Sequence, residues 1–328
     1  MKINALIGLA LICTSFVPTT TPSWHGETRD KDLKILLISD LNASYGSLTY
    51  SQDVSSVIGQ LGSIKPDLIL CGGDMVAGQK ASLTEQHIRT MWQSFNTVVF
   101  DPIKKARVPF GFTVGNHDAS PNFVKDRAVA NEFWKAQQQA TRLTFIDSTN
   151  YPFYFSYLKN NVFFMSWDAA GAKIKTEQYN WMKAQTALPV AKKARMRILL
   201  GHLPLYAIVA AKNKPGEVNA NPDSALAFFK EHKVDMYISG HQHAYYPAVK
   251  NGVQLLNSGG IGDGPRPILG HSELAKKAYT ILEIPVKRPI TFTQRAFMPS
   301  TNEEIQIHSL PDSVIGFNGV IHRTDFKK

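Results

Sequence analysis

Five short runs of metal-type donors recur along this 328-residue chain, each closing an apolar stretch. They read Ser39-Asp40-Leu41-Asn42, Gly72-Gly73-Asp74, Gly115-Asn116-His117-Asp118, Gly201-His202 and Gly240-His241-Gln242-His243. Carboxylate, amide and imidazole donors gathered from distant segments are what a two-metal hydrolytic site requires. A glycine beside one aspartate is an ordinary turn. The ordered repetition of such junctions at the ends of apolar runs is not explained that way.

Gly115-Asn116-His117-Asp118 has two readings. It can be a polar turn, with Asn and Asp present for their tolerance of left-handed geometry. Alternatively, Asn116 gives its amide oxygen to a metal, His117 faces the substrate, and Asp118 orients the His117 ring. The company of the other four runs favours the second. His241 and His243 stand two apart, and on an extended segment such side chains point the same way. Both imidazoles then reach one cluster, one per metal. His25, His87, His232, His271, His308 and His322 have no comparable context.

Strands and helices must carry these runs to one place. Apolar stretches at 33–39, 68–71 and 110–114 read as strands, separated by helical windows at 51–61 and 83–106. The second window is expected to break near Asp101-Pro102. Residues 153–158 and 162–167 flank Lys159-Asn160-Asn161 as a hairpin with a polar turn. Further short strands are expected at 197–200, 236–239, 253–257, 279–284 and 290–297. Strand-then-helix repetition signals parallel pairing in an α/β fold. Combined with hairpins, it predicts two mixed sheets face to face with helices outside. The expected catalytic domain is 30–298, and the polar, weakly patterned 299–328 reads as a surface-wrapping C-terminal extension.

In this order the runs resemble the blocks of the calcineurin-like metallophosphoesterases: D-x-H, G-D, G-N-H-D/E, G-H and G-H-x-H. The resemblance covers roughly residues 33–256. It implies a four-layer α/β/β/α sandwich with a dinuclear metal site at one edge of the two sheets. By position Asp74 is then the bridging carboxylate. Asp40 and His243 hold the first metal, while Asn116, His202 and His241 hold the second. His117 contacts the phosphoryl group and protonates or steadies the leaving oxygen, supported by Asp118. The implied reaction is hydrolysis of a phosphoester, monoester or diester, by a metal-bridging hydroxide. The alternative is a non-catalytic metal-binding or cell-surface interaction protein on the same scaffold.

One block departs from the family. Asn42 stands where a second histidine donor is usual. An amide oxygen there tilts the first site from zinc toward manganese, magnesium or iron; otherwise Asn42 does not ligate and water fills the position. The purple acid phosphatase branch carries a tyrosine three residues after the bridging aspartate, but Ala77 is found here, so an iron–tyrosinate centre is not expected. The implied cofactors are two divalent ions drawn from Mn, Fe, Zn or Mg.

The chain carries a formal net charge of +10. That favours anionic partners in general, and fits a phosphorylated small-molecule, nucleotide or lipid substrate. Its basic residues are scattered, apart from Lys192, Lys193, Arg195 and Arg197, and no basic–aromatic motif points to a stable nucleic-acid complex. Residues 257–266, rich in glycine, either place Arg266 against a phosphate oxygen or form a surface turn. Tyr245 and Tyr246 either line a substrate pocket or pack.

Residues 1–23 read as a signal peptide or N-terminal anchor: Lys2 precedes a mostly apolar stretch at 3–17, short for a bilayer span of about 20 residues. Membrane contact is expected only if that segment is retained, and a periplasmic, secreted or cell-surface bacterial protein is the expectation. Of the two cysteines, Cys13 and Cys71, the second lies in an apolar strand and reads as a buried thiol.

Overall fold

The structure, a computed structural model, describes residues 31–286 and 291–326. The expected signal or anchor segment, 1–23, lies outside them. No helix among the described residues is long and apolar enough to cross a membrane.

The strands are β1 (Leu33–Ile38), β2 (Leu68–Cys71), β3 (Phe110–Phe112), β4 (Thr144–Asn150), β5 (Tyr154–Lys159), β6 (Val162–Ser166), β7 (Met196–Leu200) and β8 (Met236–Ser239). They continue with β9 (Tyr245–Lys250), β10 (Val253–Ser258), β11 (Tyr279–Ile284), β12 (Thr293–Phe297), β13 (Glu304–Ile305), β14 (Ser313–Gly316) and β15 (Gly319–Arg323). Six form one sheet in the order β13-β12-β11-β1-β2-β3, and nine form the other, β14-β15-β9-β10-β8-β7-β6-β5-β4. Both sheets are mixed, as expected. β1, β2 and β3 run parallel, as do β6, β7, β8 and β10.

Strand alternation builds the layers. Val162 and Phe164 of β6 join the core shared with the first sheet, whereas Phe163 and Met165 join a second core with Met182, Leu226 and Phe229. Side chains of period two thus bury both faces of a strand whose sequence is an unbroken apolar run. Helices Gln52–Gly59 and Glu85–Phe95 contribute Val54, Val57, Ile88 and Trp92 to the first core. Helices Thr176–Ala187 and Pro222–Glu231 cover the second. The result is the expected α/β/β/α sandwich.

The β5–β6 hairpin turns at Asn160 and Asn161, with φ 45° and 58°, a left-handed pair that asparagine tolerates and that matches strand twist. The window at 83–106 behaves differently from expectation. Glu85–Phe95 passes through a π-helical stretch, Asn96–Phe100, into Asp101–Ala106. Pro102 follows in continuous helical backbone, where its missing N–H removes a helical bond, and the distortion lies directly before the proline.

The larger correction concerns 299–328. These residues are not a wrapping tail: β13 extends the six-stranded sheet, and the β14–β15 hairpin pairs with β9 in the other. Cys71 is buried, as expected, and burial pushes its thiol pKa well up.

Candidate metal centre

The carboxyl ends of the parallel strands of both sheets lie at one pole, and the five donor runs follow them there. Four of the donors sit in left-handed backbone: Asp40 (φ 51°), Asp74 (54°), His241 (67°) and His243 (52°). Such conformations are costly for residues with a Cβ and concentrate at functional sites. They also replace the strand-alternation expectation for the histidine pair. His241 and His243 lie in a loop between β8 and β9, and each reaches the centre through its own backbone twist.

Two donor sets emerge, Asp74–His202–His241 and Asp40–Asp74–His243, with ligand atoms inside each within 4.8 Å of one another. They share Asp74. Hydrogen bonds fix which ring nitrogen faces inward. His202 Nδ1 donates to the Gly72 carbonyl (2.8 Å), leaving Nε2 at 2.9 Å from Asn116 Oδ1 and 3.2 Å from Asp74 Oδ2. The Asn116 Nδ2 donates to Gln79 Oε1 (2.7 Å), which turns Oδ1 toward that same point. His243 Nδ1 donates to the Asp263 carbonyl (2.9 Å), so Nε2 meets Asp40 Oδ1 at 3.2 Å. Outer partners of this kind orient metal-binding imidazoles.

Electrostatics agree with cation sites. Burial opposes charge on His202, yet Asp74 and Asp40 raise its pKa to about 9. Burial likewise opposes ionisation of Asp74 and Asp40, but neighbouring imidazoles hold both below the usual carboxylate range. The buried carboxylates therefore call for positive charge between them. Asn42 is buried, and its Oδ1 has no hydrogen-bond partner. An orphan amide oxygen beside His243 and Asp263 fits a donor to a metal or its water. The residues present fit a pair of divalent ions.

His117 lies at the floor of an open cleft of about 840 Å³. Its Nδ1 donates to the Gly78 carbonyl (3.1 Å), so Nε2 faces the centre, 4.0 Å from Asp74 Oδ2. Tyr45 packs on the ring, with centroids 4.9 Å apart. The expected role of Asp118 is corrected here. Asp118 does not touch the His117 ring; its oxygens accept the N–H groups of Met75, Val76 and Gly115 at 2.8–3.0 Å. Burial and the Asp74 charge push its pKa up to about 7 against those three bonds. Asp118 ties the loop after β2 to the loop after β3.

Arg266 reaches the cleft beside His117 and His241, and its Nη1 is buried without a partner. Tyr245 does not reach it. Its side chain is buried and lines a separate cavity of about 230 Å³ with Ile268 and Leu310.

Three contributors escaped sequence reasoning. Glu217 Oε2 lies 2.8 Å from His241 Nε2, and Lys212 Nζ lies 3.0 Å from His241 Nδ1 and 3.7 Å from Glu217. Gln79 aims Asn116. Lys212 and Glu217 stand in the irregular stretch between β7 and helix Pro222–Glu231, where no periodicity marks them; only their following Gly201-His202 was a signal. Replacing Glu217 with glutamine should weaken the second metal site about 10- to 100-fold while sparing the Asp40–His243 site. Metal titration checks this, and equal weakening of both sites would count against it.

Close approach of the two loops requires glycine at 115. A Cβ there would lie 2.1 Å from Asp74 Oδ1 and 2.3 Å from Asp74 N. Gly115→Ala is therefore expected to displace the shared carboxylate, lower stability by roughly 1–3 kcal/mol and release metal. Melting curves with and without added manganese test this; an unchanged curve would refute it.

A two-sheet sandwich with paired donor sets sharing one aspartate defines a metallophosphoesterase-type scaffold. The calcineurin-like phosphoesterase pattern matches residues 33–245, and the chain belongs to that family. Among curated proteins it is similar to purple acid phosphatase 22 of Arabidopsis thaliana, 25% identical over 214 residues, 62% of this chain and 44% of that one. It is also 25% identical to the phosphoenolpyruvate phosphatase of Allium cepa over 232 residues, 68% of this chain and 44% of that one. The chain thus spans under half the length of these relatives. Among solved structures, purple acid phosphatase PPD1 from yellow lupin (Lupinus luteus) seeds shares the fold, with a TM-score of 0.63 at 16% identity over 85% of this chain and 53% of that one. GAP50 of Plasmodium, described as the anchor in the inner membrane complex, superposes with a TM-score of 0.54 at 14% identity, covering 91% and 90% of the two chains.

Proposed function

We propose that this protein hydrolyses a phosphoester at a centre of two divalent ions. The observation that carries this is the sharing of Asp74 between two donor sets at the floor of a cationic cleft. Asp40 and His243 would hold one ion, with Asn42 or a water completing its shell, and Asn116, His202 and His241 would hold the other. When bound, such ions acidify water and neutralise phosphoryl oxygens. Lys212 and Arg266 add positive charge on the cleft wall for the remaining anionic oxygens. The His117 ring, held by Gly78, presents Nε2 to donate a proton to the departing oxygen. Asp118 acts through the loops it ties and not on the substrate.

The substrate class is a phosphorylated small molecule, nucleotide or lipid. We further propose a periplasmic, secreted or cell-surface location, which the apolar stretch at 3–17 supports. The test is hydrolysis of an aryl phosphodiester beside its monoester by protein loaded separately with manganese and zinc. Turnover of either ester supports the reading, and their ratio assigns monoesterase or diesterase. No turnover from folded, metal-loaded protein would overturn it in favour of a binding role.

Asn42 separates a natural shell from a degenerate one. Asn42→His is expected to tighten zinc at the Asp40–His243 site with turnover little changed. Zinc titration and kinetics check this; a large gain in turnover would instead mark the native centre as impaired.

A further inference from the structure

The pole opposite the metal centre collects the amino ends of the parallel strands, and cations guard them. Lys65 precedes β2, Arg107 precedes β3, Arg142 precedes β4, Lys192 and Lys193 precede β7, and Lys233 precedes β8; all six are exposed. The two sheets meet at this end, where Asn160 Nδ2 donates to the Asp32 carbonyl (3.2 Å) and Arg195 to the Lys31 carbonyl (2.8 Å). None of the six forms an ion pair with a described residue; the nearby pairs use Lys34 and Lys104 instead. The local acids Asp32, Asp67 and Asp235 accept the backbone N–H groups of Val286, Lys34 and Arg197, and Glu231 meets His232.

Four of these cations hold positions that favour glycine. Lys65, Arg107 and Arg142 close helical turns with φ 50°, 57° and 56°, and Lys233 follows helix Pro222–Glu231 with φ 55°. Glycine is the usual residue at such a left-handed helix end, because it has no Cβ to clash. Attraction to a helix terminus explains a cation at one such end. It does not explain why glycine is avoided at all four ends on this face.

Lys31, whose carbonyl accepts from Arg195, adds a further cation at this pole. We propose that this cationic pole docks on an anionic lipid bilayer, with the metal cleft facing away. Cations gathered on one face of a folded domain are attracted to acidic headgroups, and the attraction fades with salt. The cleft then serves soluble esters and not the lipids beneath it.

Vesicle flotation of the full chain tests this, with phosphatidylcholine vesicles compared with vesicles that also contain phosphatidylglycerol. Any insertion of the apolar stretch is common to both and cancels in the ratio. The expected result is a clear preference for the acidic vesicles that falls as sodium chloride rises. The variant Lys65→Gly/Arg107→Gly/Arg142→Gly/Lys233→Gly should lose that preference, at about fivefold per cation close to the surface. Its melting temperature should hold or rise, since glycine relieves four left-handed positions, so failure to fold does not confound the readout. Equal binding to both vesicles, or a preference that the glycine variant keeps, overturns the proposal. So does an equal loss in Lys173→Gln/Lys175→Gln on the cleft rim. Tight binding to duplex RNA without a vesicle preference would assign the pole to nucleic acid instead.

Discussion

Asp74→Asn is expected to cost roughly three orders of magnitude or more in kcat/KM, because several kcal/mol of metal-derived stabilisation is lost at once. Asp74 alone belongs to both donor sets. Its Oδ1 also accepts the His117 backbone N–H at 2.9 Å, while Oδ2 lies 3.2 Å from His202. Asparagine keeps the size but carries a single oxygen, so it must turn an amide N–H toward either a donor or a cation. The fold should survive, since the core strands do not depend on this carboxylate. Metal analysis should show loss at both sites, not one. A variant that retains two ions and acts within about tenfold of the parent would remove Asp74 from its bridging role.

His117→Asn is expected to lower kcat about 10²- to 10⁴-fold with metal content unchanged. His117 lies outside both donor sets, and among the described residues its ring hydrogen-bonds the Gly78 carbonyl and stands 4.0 Å from Asp74 Oδ2. The two variants therefore separate metal holding from proton delivery. The leaving group supplies a further check. Proton donation matters most for a poorly acidic alcohol, so the deficit should shrink with nitrophenyl phosphate and grow with an alkyl phosphate. An equal deficit for both leaving groups would recast His117 as an electrostatic clamp.

Legibility followed the physics of each part. The donors were readable because strands that are buried on both faces form continuous apolar runs, and glycine marks where each ends against a polar residue. β1, β2, β8 and β11 matched their expected spans almost to the residue for that reason. Roles that depend on where a loop bends were not readable. Asp118 adjoins His117 in sequence, yet its carboxylate serves backbone amides of another loop. Glu217 and Lys212 come from a stretch without periodicity, and only tertiary structure sets them against His241. The β14–β15 hairpin escaped because its strands are short, with only Val314, Ile315, Val320 and Ile321 marking them in a polar stretch, and β9, the partner of β15, lies more than sixty positions back.

Leu33, the first residue of β1, pairs with Ile284, and β11 occupies the whole flank of β1 that β2 leaves open. The strand that leads to Asp40 is thus an unpaired edge on that side until residues 279–284 have been synthesised and have returned to it. Pairings of such sequence separation carry a heavy loop-closure cost and form slowly. Closure of the first sheet is consequently a late event in the life of the chain, and so is the first moment at which Asp40 is braced from both sides. During synthesis the nascent polypeptide has its early donors but no finished cage, and the two donor sets come together only once its last third has arrived.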